Sequence, residues 1–220
     1  MSVDHILNTT TIEDEYTSGA YPKRPLTVVR GEGCTVWDDA GNPYLDLTSG
    51  QGVALLGHSH PAIVQAVSMQ AGQLITCPEI FYNDRRAALY ELLATVLPNE
   101  INRFFLCNSG AEAIEGALKL ARLLTDRTEV VAAKRSFHGR TLGAVSLTWN
   151  RKYRAPFAAW GPDTTHITYN DLDAARAAIS SHTAAVVVEA VQGEGGVYPA
   201  DADYLRGLRE LCDEHGALLI

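Results

Sequence analysis

Hydrophobic and polar positions follow strand-like and helix-like patterns in turn along this chain, and each stretch predicts an element. Val28 to Leu47 reads as short strands separated by turns. Thr35-Val36-Trp37 runs into the turn cluster Asp38-Asp39-Ala40-Gly41-Asn42-Pro43 and on to Tyr44-Leu45-Asp46-Leu47. A Gly-rich loop follows at Ser49-Gly50-Gln51-Gly52. Pro61 suits the first turn of a helix through Leu74, with Ile63, Val64, Val67 and Ala71 on one face. Arg85 to Leu97 repeats the helical period and is closed by Pro98. From there strands and helices alternate. Arg103–Cys107 predicts a short apolar strand, Ser109–Leu124 a helix, Val130–Ala133 a strand, and Asp173–Ser180 a helix. Ala184–Val188 is apolar without alternation, the mark of a strand buried on both faces. Ala202–His215 predicts a helix that stops at Gly216, and Ala217–Ile220 a strand. The expected fold class is α/β with a mainly parallel sheet.

Composition sharpens this picture only modestly. The 220 residues, 46% hydrophobic and 20% charged, fit a soluble globular protein rather than a disordered or fibrous one. No apolar run approaches the roughly 18 residues that span a membrane. The first residues have no basic region followed by a long apolar one, so no secretory signal is read there, and a membrane role is not expected. A net charge of −8 argues against nonspecific nucleic-acid binding. Cys34, Cys77, Cys107 and Cys212 have no metal or redox spacing and read as free thiols of a reducing cytoplasm. The Asn8-Thr9-Thr10 triplet is a chance match without export. Residues 1–20 are acidic and read as a mobile or partner-docked arm.

Four stretches carry candidate chemistry. In Asn108-Ser109-Gly110-Ala111-Glu112, Ser109 and Glu112 make a capping box. Gly110 lets a ligand approach the unpaired N–H groups of the first turn, a setting that suits phosphate; the alternative is a plain capped helix. No Walker lysine or G-x-G-x-x-G accompanies it, so ATP and dinucleotides are poorly supported. Ser136-Phe137-His138-Gly139-Arg140-Thr141 leaves a strand at the edge where α/β proteins bind ligands. Its aromatic ring and guanidinium suit a stacked ring and a carboxylate; otherwise it is a surface loop. Glu189 and Glu194 flank the exit of another buried strand and suit acid–base work or arginine pairing. His58-Ser59-His60 lacks a third metal ligand nearby and reads as locally hydrogen-bonded.

Together these segments resemble the class III pyridoxal-phosphate aminotransferases, in the acetylornithine and ornithine aminotransferase branch. The resemblance runs from Tyr21 to Ile220. It rests on Val29-Arg30-Gly31-Glu32-Gly33, Trp37-Asp38, Tyr44-Leu45-Asp46, Gly57 to Pro61, Asn108 to Arg122, Phe137 to Thr141, and Gln192-Gly193-Glu194-Gly195-Gly196. Each is modest alone; their order and spacing are specific. Ala190 stands where the family usually has proline.

The resemblance implies the pyridoxal-phosphate-dependent transferase fold of type I. Residues 1–60 would form an N-terminal arm and small-domain segment, and 61–220 an incomplete cofactor-binding large domain. It implies backbone contacts from Gly110 and Ala111 to the cofactor phosphate, and stacking of Phe137 on its ring. Glu189 would lie near the cofactor and help order Arg140, which would bind the substrate α-carboxylate. Glu194 would be a gate that masks a later arginine until a dicarboxylate enters. The implied reaction moves the terminal amine of an N-acetylornithine-like substrate to 2-oxoglutarate, in a cytoplasmic homodimer.

The family's ring-nitrogen Asp, ring-hydroxyl Gln, Schiff-base lysine and gate arginine come later than Ile220. None of Lys23, Lys119, Lys134 or Lys152 matches that lysine, and Lys119 reads as a solvated pair with Glu115. The chain by itself is therefore expected to be a fragment without activity. The alternatives are a non-catalytic truncated remnant, a relative acting on ornithine, succinylornithine, 4-aminobutyrate or a carrier-bound amine, and an aminomutase or racemase of the same fold.

Overall fold

The structure, a computed structural model, describes residues 9–220. It falls into two compact units that divide between Val96 and Leu97.

In the first unit, β1 (Val28–Glu32), β2 (Thr35–Asp38) and β3 (Pro43–Leu45) form an antiparallel meander. The turn between β2 and β3 is closed by Asp38. Its carboxylate accepts from the Asn42 N–H (2.7 Å), the Asn42 side-chain amide (2.9 Å) and the Tyr44 hydroxyl (2.9 Å). These donors, the Asn42 side chain first among them, hold the Asp38 carboxyl below its ordinary pKa. The Gly-rich loop is a left-handed turn: Ser49, Gly50, Gln51 and Gly52 all have positive φ. Helices Pro61–Ala71 and Asp84–Val96 follow, near the expected limits.

The second unit is built on a four-stranded sheet in the order β5-β4-β6-β9, all parallel. Its strands are β4 (Glu129–Ala133), β5 (Thr164–Ile167), β6 (Thr183–Val187) and β9 (Leu218–Leu219). Period-two geometry divides each central strand between two cores. Val131 and Val186 face one with Leu208, Leu211 and Cys212. Val130, Ala132, Ala185 and Val187 face the other with Ala121 and Leu147. Helices Leu172–Ala178 and Ala202–His215 contribute to the first core, and helices Gly110–Thr125 and Leu142–Leu147 to the second. Covered faces explain why β6 shows no alternation. A hairpin of β7 (Val191–Gln192) and β8 (Tyr198–Pro199) leaves the end of β6.

Within the acidic arm the chain is helical over Thr9–Tyr16, and Glu13 pairs with Lys23; residues 1–8, with Asn8, lie outside the described residues. Two expectations need correction. Arg103–Cys107 is not a strand. No member of the four-stranded sheet lies beside it to complete a ladder, and the Phe105 ring rests instead on Gly116 of the neighbouring helix. Glu115 does not serve the surface pair with Lys119; its carboxylate turns to the backbone of another helix.

Candidate active site

Two loops leave the carboxyl ends of neighbouring strands β4 and β6, where parallel sheets place ligand sites. The turn that opens the Gly110–Thr125 helix lies against one of them. Ser109 is its N-cap, with Oγ accepting from the Glu112 N–H at 3.1 Å. The expected capping box forms with one shift: the Glu112 carboxylate reaches back to the Asn108 N–H. The amides of Gly110 and Ala111 stand first in the helix, where no intrahelical acceptor exists. A Cβ at Gly110 would meet nothing within 4 Å, so the space beside Gly110 is open.

The Phe137–Arg140 loop closes on this turn. Gly139 has φ +137°, and a Cβ there would lie 2.8 Å from the Ala111 Cβ and 3.0 Å from the Ala144 Cβ. Only a glycine permits that approach. Thr148, almost fully buried, holds the loop from beneath: its hydroxyl accepts from the His138 N–H (3.0 Å) and lies 3.2 Å from the Gly139 carbonyl. Arg140 is exposed, its guanidinium carbon 5.8 Å from the centre of the Phe137 ring. His138 is largely buried, and its Nε2 meets no hydrogen-bond partner. Burial lowers its pKa to about 4.

The second loop brings Glu189 to the first. Its Oε2 accepts from the Phe137 N–H at 3.3 Å. Burial raises the Glu189 pKa; the Phe137 and Gly193 amides oppose the rise, and the Glu194 charge adds to it. Glu194 is exposed on the turn between β7 and β8. Gly110, Ala111, Phe137, Arg140 and Glu189 are thus brought to one edge of the sheet, with Glu194 on the turn that follows. Lys134 follows β4, with Nζ 3.2 Å from the Thr168 hydroxyl.

Sequence reasoning missed several supports of this edge. The Tyr169 hydroxyl donates to the Glu189 carbonyl at 2.7 Å. Gln192, 1% exposed, donates from Nε2 to the Lys134 carbonyl at 2.8 Å and ties the second loop to the end of β4. A glutamine at the head of the Gly-rich run 192–196 was the available signal for Gln192; Tyr169 offered none.

The motifs of the first unit fasten its own turns. His58 Nε2 lies 2.7 Å from Asp46 Oδ2, and His58 exchanges backbone hydrogen bonds with Gly33 (2.9 and 2.8 Å). A Cβ on Gly31 would strike the His58 ring at 2.7 Å. The Arg30 guanidinium lies 3.7 Å from the centre of the Trp37 ring.

The observed edge suits an anionic ligand with an aromatic ring. It offers open helix-terminal amides for a phosphate, a ring face at Phe137, and a carboxylate at Glu189. Comparison with known proteins agrees. The model of the family Aminotransferase class-III matches residues 16–220. The acetylornithine aminotransferase of Methanopyrus kandleri is 49% identical over 207 residues, 94% of this chain and 53% of the relative. The [LysW]-aminoadipate semialdehyde transaminase of Deinococcus radiodurans is 50% identical over 210 residues, 94% of this chain and 49% of the relative. The crystal structure of ornithine aminotransferase from Toxoplasma gondii ME49 superposes with a TM-score of 0.88 at 31% identity, over 97% of this chain and 52% of that one. A second structure of the Toxoplasma enzyme has PLP at partial occupancy in its active site. The chain spans about half the length of the curated relatives it matches. With its parallel sheet between helices, its fold is type I of the pyridoxal-phosphate enzymes, and it belongs to the class III aminotransferases, the family whose cofactor is pyridoxal phosphate.

Proposed function

We propose that this chain contributes the phosphate cup, ring stack and carboxylate clamp of a transaminase that moves the terminal amine of an N-acetylornithine-like donor to 2-oxoglutarate. The observation that carries this reading is the closure of Gly139 on Ala111, which sets the Phe137–Arg140 loop beside the open amides of the helix. The Gly110 and Ala111 N–H groups hold the cofactor phosphate, where the helix terminus favours an anion. Phe137 lies against the ring. When bound, pyridoxal phosphate supplies the electron sink for breaking the C–H bond beside the amine. Arg140 grips the α-carboxylate of the donor with its planar fork, far from the reacting end. Glu189 keeps the Phe137–Arg140 loop in place. Glu194 masks a later arginine while the amine donor is bound and yields it to the dicarboxylate acceptor. The working protein is a cytoplasmic homodimer.

The relative at 50% identity that acts on [LysW]-aminoadipate semialdehyde supports a second donor class, a carrier-bound amine. The full-length gene product, loaded with pyridoxal phosphate, is assayed for glutamate formed from 2-oxoglutarate with each donor. Arg140→Lys keeps the charge and loses the fork. It is expected to lower kcat/KM for the preferred donor by at least about tenfold, some 1.4 kcal/mol, with cofactor loading retained. An unchanged kcat/KM removes Arg140 from the clamp. Residues 1–220 alone, whose four lysines do not match the family's, are expected to form no glutamate above the free-cofactor background.

A further inference from the structure

Glu115 lies on the Gly110–Thr125 helix, one turn beyond Ala111. Its Oε1 accepts from the backbone N–H groups of Gly143 (2.8 Å) and Ala144 (3.2 Å). Those amides open the Leu142–Leu147 helix, whose N-cap residue Thr141 makes no side-chain cap bond. A carboxylate borrowed from another helix therefore does the capping, at the end where the peptide dipoles favour negative charge. The fit is close: a Cβ on Gly143 would lie 2.5 Å from Glu115 Oε2. Four residues earlier, Gly139 closes on Ala111. Two contacts, one steric and one polar, thus lock residues 139–144 to residues 111–115. Arg140 sits between them.

We propose that Glu115 is a positioning residue for the carboxylate clamp: by capping Gly143 and Ala144 it fixes the distance between the phosphate turn at Gly110 and the guanidinium of Arg140. The inference rests on the functional reading above. A substrate joined to the cofactor must reach both points at once, so a shift of the Arg140 segment acts on substrate geometry and leaves the phosphate cup intact. Because Arg140 grips the donor far from the reacting end, its displacement weakens binding of the ground state and the transition state alike, a loss read in KM.

The test uses the full-length gene product loaded with pyridoxal phosphate. Glu115→Ala is expected to lower kcat/KM for the amino donor on the order of tenfold or more, mainly through KM. Cofactor affinity by equilibrium dialysis should change far less, and amide exchange at Gly143 and Ala144 should accelerate. Glu115→Gln, which keeps a carbonyl acceptor, should recover most of the loss. Gly143→Ala, pressing on the same carboxylate from the other side, should reproduce it, and carries the comparison if Glu115→Ala does not fold. Faster exchange with unchanged KM, or parallel losses of cofactor and substrate binding that glutamine does not rescue, would overturn the proposal. If the unsubstituted protein holds the cofactor but transfers no amine, the functional reading has failed and the inference falls with it. If that protein turns over and the variants match it, only the inference fails.

Discussion

The two units place their apolar side chains in opposite ways. Between Leu97 and Ile220 the strands β4 and β6 are buried almost end to end, and Leu147, Val131, Val186, Val187 and Leu208 are all but inaccessible. Among the described residues up to Val96 a single residue is buried, and it is the polar Asp38. Ile63, Val64 and Val67 lie on one face of their helix as the pattern required, yet each is at least half exposed. Periodicity in a sequence records that a face wants cover. It does not record what supplies the cover; among the described residues, those of the second unit supply their own.

The sharpest way to break this contrast is a core deletion. Leu208→Ala should cost about 2–5 kcal/mol of unfolding free energy, read as a lower urea midpoint with unchanged slope. A loss below 1 kcal/mol would mean that the second unit is no better packed than the first.

Acid offers the next largest effect. The buried His138, with its pKa lowered to about 4, stays neutral in the folded protein, whereas the unfolded chain takes up a proton near pH 6.5. The unfolded state therefore binds more protons between these values, and stability must fall as pH drops from about 6.5 to about 4. The full effect is on the order of 3 kcal/mol. His138→Asn should flatten the pH dependence of the urea midpoint in that window; an unchanged slope refutes the burial argument. Asp38 acts in a lower range. Its depressed pKa makes its contribution complete above the ordinary carboxylate value and lost as pH falls further.

Ser109→Ala, which removes the N-cap oxygen of the Gly110–Thr125 helix, should cost about 1 kcal/mol in thermal or urea unfolding. Smallest of all, Val67→Ala in residues 1–220 should stay within about 0.5 kcal/mol, because no cover is lost. A loss as large as that of Leu208→Ala would show that the first unit finds a partner surface in solution.

Much of the second unit was legible in advance because its signals are local. The unbroken apolar run at Ala184–Val188, the Ser109/Glu112 pair and the Gly216 stop each specify an element without reference to the rest of the chain. The residues that would meet a phosphate and a ring were legible through loop chemistry and through resemblance. What escaped depends on partners distant in sequence. Arg103–Cys107 has strand composition, but a strand also needs a neighbour. Glu115 had a plausible partner four residues away in Lys119, and the structure gives it one 28 residues away. β5, Thr164–Ile167, carries two threonines and a histidine, too polar a run to announce a strand beside β4.

The strand order has a consequence for synthesis. β4 is paired on both sides, by β5 and β6, and both neighbours come later in the chain. At roughly 5–20 residues per second, several seconds pass between the emergence of β4 and that of β6. Until β5 emerges, a strand apolar on both faces, Val130-Val131-Ala132-Ala133, has both edges unpaired, and until β6 follows it still has one. The exposure of its edges lasts for a window set by the length of chain between β4 and β6, and slowing translation there should lengthen it.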